Sequence, residues 1–398
     1  MAVTITRNPN LSKSGKDISF NHELNKEFGD SWWTGLPPQA CPGFDQERSA
    51  LVALPLLNIN LCSRQDVLDY FNNSWTLTEL LFQSLKVEEA YIRPPYHALR
   101  HPLIFYYGHP AVLYVNKMRL AGLINDPIDL YLEKVLETGV DEMSWDDMSK
   151  NEMKWPRVST VRLYRKKVYD LMINLIKTHP DLNDPKKLHK SSPWWSLWMG
   201  MEHEKIHFET SSVLMRELPV EYVETPKYWV PLHPSKNAPN TTIANSWEKK
   251  NGVKVNVGKP HDTESYGWDN EYGSRTVDLK DFQYTKNQIT NYEYLEFVSS
   301  GGYVNDKYWG DEGLSWRKFR NTKRPTFWVA TGPEGSHQYE LRTVFEIIPM
   351  PLAWPVEVNF HEAVAYCNWK TDVDKTKLQY RLFTEGEFVS LIPKVKDP

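Results

Sequence analysis

Five prolines, Pro219, Pro226, Pro231, Pro234 and Pro239, fall within about twenty residues and divide the chain into two stretches of different texture. Proline lacks a backbone N–H and clashes with the preceding helical turn, so no helix can run through such a segment. The cluster predicts an extended connection over residues 219–245 and a domain on either side of it.

Before the cluster, from Ser63 to Leu218, apolar residues recur at helical spacing with few breakers. Ser63-Arg-Gln-Asp66 has the form of a capping box, and Val67, Leu68, Phe71, Trp75, Leu77, Leu80, Leu81 and Leu85 follow it. That pattern predicts a helix over 64–88. A second helix is predicted over 103–123, with Phe105, Tyr106, Tyr107, His109, Leu113 and Tyr114, and a third over 158–178, with Val161, Leu163, Tyr164, Val168, Leu171 and Leu175. With the helix that carries His203, this makes the four helices of a bundle.

After the cluster come short β-like pieces rich in glycine and aromatic residues, with helical stretches near 287–299 and 359–369, which predict an α+β, loop-rich domain. A further helix should begin near Thr384, and the sequence stops at Pro398 a few residues into it, so this domain is expected to be incomplete at its C-terminus. The expected division is an extension over 1–44, a helical bundle over 45–218, the proline-rich linker and an α+β domain over 246–398. A chain of 398 residues has room for two such cores.

Composition narrows the function. The 47 Lys and Arg nearly balance 51 Asp and Glu, for a formal charge of −4, and no basic run would track a phosphate backbone, so nucleic acid is not an expected partner. Cys41, Cys62 and Cys367 are scattered and form no CxxC pair, which argues against a disulfide framework and a thiolate metal site. The N-terminus has no apolar signal-like core, and the longest apolar run, Leu51 to Cys62, is too short to span a bilayer. A cytoplasmic protein without a membrane partner is expected. Sixteen Trp and 21 Tyr suggest polar-edged aromatic pockets. No internal repeat is visible, and oligomeric state is not legible.

The chemistry concentrates in Trp194-Trp195-Ser-Leu-Trp198-Met-Gly-Met-Glu202-His203-Glu204-Lys205-Ile206-His207-Phe208-Glu209. At about 100° per residue, positions i and i+4 lie about 40° apart, so the imidazoles of His203 and His207 share one helix face and can share one ion. Glu209, rotated by about 240° from His203, is expected to be a supporting or structural group rather than a ligand. A third ligand is needed, and His109, in Phe105-Tyr-Tyr-Gly-His109-Pro, is chosen over His97 and His101, which flank prolines; Gly108 would permit a close approach beside it. Three neutral imidazoles leave an ion's +2 charge uncompensated and half an octahedron open to substrate thiolate and dioxygen, and they would also suit zinc with a bound water, so ligand type alone does not separate the two.

His203-Glu204-Lys205-Ile206-His207 is also a literal HExxH, the zinc-protease pattern in which the inner glutamate is the general base. The metzincin extension fails, because Thr210 stands where glycine is required and no third histidine follows; Glu217, Glu221 or Glu224 could complete such a site.

The segment from His203 to Glu209, with the tryptophans before it, resembles the H-x3-H-x-E signature of aerobic sulfoxide synthases, and its surroundings are more similar to the 5-histidylcysteine sulfoxide synthases of ovothiol biosynthesis than to the ergothioneine branch. Phe105 to His109, the acidic stretch Glu137 to Asp147, Trp155-Pro-Arg-Val and Leu163-Tyr-Arg165 agree. Later strings, Tyr266-Gly-Trp268, Gln288 to Phe297 with Gly301-Gly302-Tyr303, Pro355 to Trp369 and Arg381 to Glu387, resemble the formylglycine-generating-enzyme (sulfatase-modifying factor) fold.

The resemblance implies a multi-domain architecture, with a DinB-like all-α four-helix bundle followed by a C-type-lectin-like α+β domain. It implies iron(II), Fe(2+), held by His109, His203 and His207, and a reaction joining cysteine to the imidazole of histidine with dioxygen (O2) to give 5-histidylcysteine sulfoxide. Arg93, Arg100 and Arg165 are candidates for the substrate carboxylates. The family's active-site tyrosine is expected to lie beyond Pro398, and no counterpart of the later half of its second domain or of its methyltransferase domain is expected within this sequence. No glycine-rich nucleotide-binding stretch follows a strand, so no S-adenosylmethionine site is expected. A shortened, weakly active or inactive iron-binding member is the alternative to an active synthase, and the zinc protease stands third.

Overall fold

The computed structural model describes residues 33–95, 100–137, 154–376 and 378–392. The acidic stretch from 138 onward, His97 and the last residues before Pro398 lie outside them.

Four long helices form the bundle: α1 (Arg64–Phe82), α3 (Leu103–Leu120), α5 (Val158–Thr178) and α6 (Trp195–Arg216), with the short α2 (Glu88–Ile92) and α4 (Leu130–Glu137) between them. The capping box at Ser63 forms as its sequence requires: the Ser63 hydroxyl accepts from the backbone N–H of Asp66, and the Asp66 carboxylate accepts from the N–H of Ser63 at 2.7 Å. The helix it starts ends at Phe82, six residues before the expected boundary. Leu85 instead pairs with Val223 in a β-bridge, and the N–H of Lys86 donates to the carbonyl of Tyr222, so the backbone there is already extended. Tertiary pairing with the proline-rich segment decides this end.

α3 packs on α6, α5 and α4, and α1 packs on α6 and α5. Gly200 lets α6 approach α3 closely, since a Cβ there would stand 2.5 Å from the Tyr114 ring. The core is aromatic: Trp75, Tyr107, Tyr114, Tyr164 and Trp198 are almost wholly buried. At its centre the Arg165 guanidinium, fully enclosed, donates to Glu79 at 2.7 Å, to Glu204 at 3.2 Å and to the carbonyl of Tyr107 at 2.9 Å. It also lies over the Trp75 ring at 4.1 Å. Residues 33–62 lie against this core, where Thr34 donates to Glu79 at 2.7 Å and β1 (Phe44–Asp45) pairs with β2 (Ala50–Leu51).

The proline-rich segment holds two short 3-10 helices, Val220–Tyr222 and Pro234–Asn237, between irregular stretches and is tied to the bundle. The N–H of Glu224 donates to Ser84 and that of Leu51 to Tyr228, at 2.9 and 3.0 Å. Beyond it, the short strands form antiparallel ladders: β3 (Trp247–Lys250) with β6 (Phe282–Thr285), β4 (Lys254–Val257) with β5 (Arg275–Asp278), and β7 (Trp328–Ala330), β8 (Tyr339–Arg342) and β9 (Ile347–Pro349) in order. Helices α7 (Asn291–Ser299), α8 (Asp311–Arg320), α9 (Phe360–Val373) and α10 (Glu385–Leu391) accompany them. Capping boxes at Thr290, Asn359 and Thr384 set the starts of α7, α9 and α10, while α8 was not legible because its apolar spacing is broken by charges.

A second core, centred on Tyr294, Phe297, Trp328, Tyr366 and Trp369, holds this part together. Tyr266 and Phe345 leave it and join the core of the bundle, the first with its ring 4.7 Å from that of Trp195. Within the described residues no helix is long and apolar enough to cross a membrane.

Candidate metal centre

His109 on α3 and His203 and His207 on α6 converge, each able to offer one nitrogen within 4.8 Å of the others, and no other such group of three occurs among the described residues. Spacing on α6 aligns the pair, leaving the two Nε2 atoms 3.0 Å apart. The α3–α6 contact brings in His109, with its ring 4.9 Å from His203 and 4.8 Å from His207. Gly108 has the role expected of it: a Cβ there would lie 2.6 Å from Leu136 on α4, and this close approach places the Leu136 carbonyl 2.6 Å from Nδ1 of His109. Nδ1 therefore carries the proton and Nε2 keeps a free lone pair. Pro110, next in sequence, cannot donate to the carbonyl of Tyr106, so one backbone hydrogen bond of this continuous helix is missing beside the ligand.

All three imidazoles are held neutral. Burial pushes His109 down to about 4, opposed by the Leu136 carbonyl. Burial, then the neighbouring histidines and Lys117, bring His203 to about 2, and burial, then His109 and Arg100, bring His207 to about 3. A cluster of neutral imidazoles is a ligand set at ordinary pH, since protonation does not compete with the ion. Two Nε2 atoms at 3.0 Å also match ligands at right angles about 2.1 Å from a common ion, so the residues present fit a divalent transition metal. Nδ1 of His203 and of His207 is buried without a partner in the structure. Phe105 stacks on His109 at 4.7 Å, Tyr106 lies 5.6 Å from His207, and His101 packs on Phe105 rather than entering the site.

The other expected site residues divide. Arg165 is corrected: wholly enclosed and bonded to Glu79, Glu204 and Tyr107, it has a structural role and cannot reach a substrate carboxylate. Arg93 is also corrected, since it lies at the surface beside Glu89, 3.8 Å away, with its guanidinium 5.7 Å from the centre of the Tyr222 ring. Arg100, itself exposed, is the one of the three that bonds to Tyr106 and whose charge is felt by His207. Glu209 is exposed, and its carboxylate bonds to nothing among the described residues, so it is neither a supporting nor a structural group.

Glu204, the would-be base of the HExxH pattern, points the opposite way into the core. It is fully buried, paired with Arg165 and accepting from the Tyr114 hydroxyl at 3.0 Å, which removes it from any metal-bound water. The three cysteines are free, and burial raises each thiol to about 11, so none offers a thiolate at neutral pH. The Leu136 carbonyl and the Glu79–Arg165–Glu204 network escaped sequence reading, because a backbone acceptor leaves no residue signature and the network joins positions 125 residues apart.

Residues 70–211 match the DinB superfamily, and residues 241–390 match the sulfatase-modifying factor enzyme 1-like domain. The chain is 24% identical over 337 residues to ergothioneine biosynthesis protein 1 of Neurospora crassa, an alignment covering 74% of this chain and 35% of that protein. It is 35% identical over 109 residues to hercynine oxygenase of Mycolicibacterium smegmatis, covering 27% of this chain and 24% of that one. A protein of the first name from Schizosaccharomyces pombe is 21% identical over 308 residues, 68% of this chain and 35% of its own length. The chain thus spans about a third or less of the curated relatives it matches. It carries a DinB-like helical domain followed by a sulfatase-modifying factor enzyme 1-like domain, in a chain similar to ergothioneine biosynthesis protein 1 and hercynine oxygenase.

Proposed function

We propose that this chain is a non-heme iron(II), dioxygen-dependent sulfoxide synthase that joins the sulfur of cysteine to the imidazole of histidine, as in ovothiol biosynthesis. The observation that carries the reading is the triad of neutral imidazoles drawn from α3 and α6. Its relatives are named for ergothioneine biosynthesis and for oxygenation of hercynine, a histidine derivative, which supports an oxidative reaction on such a substrate.

His109, His203 and His207 would hold the iron through Nε2, with the Leu136 carbonyl fixing the tautomer of the first. Iron(II) in such a site supplies open positions for a thiolate and for dioxygen. The chain's own groups do the rest. Arg100 is the residue we assign to a substrate carboxylate, because its charge already reaches His207 while the other two candidate arginines are engaged elsewhere. Phe105 and Tyr106 form an apolar wall that keeps water from the reacting groups. We place the protein in the cytoplasm, where thiols stay reduced.

Protein reconstituted with iron(II) and supplied with cysteine, histidine and dioxygen should consume oxygen and form the sulfoxide conjugate detected by mass spectrometry, and His203→Ala should abolish it. Iron bound at the triad with no conjugate formed from histidine or from N-methylated histidine would sink the reading.

A further inference from the structure

A cavity of about 480 Å³ opens where the C-terminal end of α6, the proline-rich segment and the second domain meet. That volume falls within the range of small-molecule pockets. It is separate from the histidine triad: Arg216, in its wall, lies nine residues past His207, about 14 Å along α6.

Aromatic side chains shape it. Trp229 and Phe345 stand at 89° to one another with centroids 5.1 Å apart, making a corner, and Trp354, Leu341 and Val344 continue the wall. Phe208 already stacks on one face of Trp229 at 5.8 Å, so a flat ring can enter this corner only from the other side. The polar groups are few and placed. Arg216, only 12% exposed, lies over the Phe327 ring at 3.8 Å and donates from Nε to the carbonyl of Arg342 at 2.6 Å and from Nη1 to Glu357, while Nη2 has no hydrogen-bond partner among the described residues. Among the lining residues its charge and that of Lys236 are matched by Glu357 and Glu346. Glu357 is 57% exposed and so screened by water, and Arg342 is a second guanidinium close by, held down to about 10 by burial and by Arg216. Lys236 adds a third cation, paired at 3.3 Å with Glu346. Asn291 is 1% exposed and donates from Nδ2 to the carbonyl of Pro351 at 3.0 Å, while its Oδ1 has no partner at all. A buried acceptor left in that state calls for an N–H or O–H donor.

We propose that this seam binds a planar aromatic carboxylate carrying an N–H or O–H, with its ring in the Trp229–Phe345 corner, its carboxylate on Arg216 Nη2 and its donor toward Asn291. The site is independent of the metal reading above, and its test uses neither iron nor turnover. Indole-3-acetate serves as the probe and 3-methylindole, which lacks the carboxylate, as its control, both titrated calorimetrically into the full chain. Indole-3-acetate should bind one to one and more tightly than 3-methylindole, and Arg216→Gln should weaken it about tenfold or more while changing 3-methylindole less than about threefold.

Because Arg216 also ties the two domains together, Glu357→Gln gives a second reading at an exposed position. Freeing Nη1 from its partner should tighten indole-3-acetate severalfold. Val344→Trp, filling the corner, should abolish binding of both probes while the far-ultraviolet circular dichroism stays unchanged. Absence of saturable binding, binding that survives Val344→Trp, or equal affinity for the two probes would each overturn the proposal, as would no change or a loss on Glu357→Gln.

Discussion

The bundle and the second domain are built from similar materials and hold together differently. Both are rich in Trp and Tyr, but in the bundle these residues lie on helices of 18 to 22 residues around a buried ion network. In the second domain they sit between strands of three or four residues, while Val304, Phe319, Phe360 and Phe388 are 55% or more exposed. Long amphipathic helices bury most of their apolar face against one another, whereas short ladders need neighbours on both sides and gain them partly from the bundle, through Tyr266 and Phe345. The difference teaches where a rigid site can be built. The triad stands on the two helices that pack most closely, and the cavity at the seam stands where the less self-sufficient half is anchored.

The comparison breaks first if the ion network is dispensable. Arg165→Met leaves Glu79 and Glu204 enclosed without a counter-charge and should cost the bundle about 3–5 kcal/mol in urea denaturation, whereas severing the exposed, water-screened Lys307–Asp372 pair of the second domain should leave its midpoint almost unmoved. Equal effects would erase the distinction. Removing a metal ligand should come next: His109→Ala or His203→Ala should weaken cobalt(II) binding, followed by its visible spectrum, by more than the roughly 10–100-fold that a supporting residue costs.

Packing at the glycines should follow. Gly200→Ala forces a methyl group to within 2.5 Å of Tyr114, whose hydroxyl is bonded to Glu204, and should destabilise the bundle by about 1–3 kcal/mol in thermal melts, with metal binding weakened alongside.

Acid should separate the two halves by window. The triad histidines have folded values of about 4, 2 and 3 against 6.5, so the stability they contribute is present above pH 6.5 and is lost as pH falls through that range. In the second domain Arg381 holds the Glu387 carboxyl at about 2 against 4.5, so its contribution is present above pH 4.5 and is lost only below it. Metal-free protein melted between pH 7 and 4.5 should therefore weaken in its bundle signal first; the reverse order would contradict the assignment. The smallest effect is expected at Glu209, where Glu209→Gln should leave stability and cobalt affinity within about 0.5 kcal/mol.

Much of this was legible in the chain. The third long helix runs from Val158 to Thr178 as its periodicity predicts, and the capping boxes at Ser63 and Thr384 start helices where they should. These are local signals, decided within one or two turns. Helix ends such as Phe82, and α2, α4 and α8, were not readable, because neighbours distant in sequence or a weak apolar pattern decide them. The arginines show the same limit. Arg93, Arg100 and Arg165 look alike as letters, yet the first lies at the surface beside Glu89, the second is exposed with its charge felt by His207, and the third is enclosed between a pair of buried carboxylates.

What the sequence determined by itself was periodic or contiguous: the helical half, the proline break, and the pair His203 and His207, which any helix of that spacing must place on one face. What only the tertiary structure decided was every partnership across the chain. Packing of α3 on α6 makes His109 the third member, the approach of Leu136 past Gly108 sets its tautomer, and Arg165 takes Glu204 out of the protease pattern. Spacing along one helix is dictated by the covalent repeat of the backbone. Contacts between helices depend on which faces bury together, and no single segment carries that information.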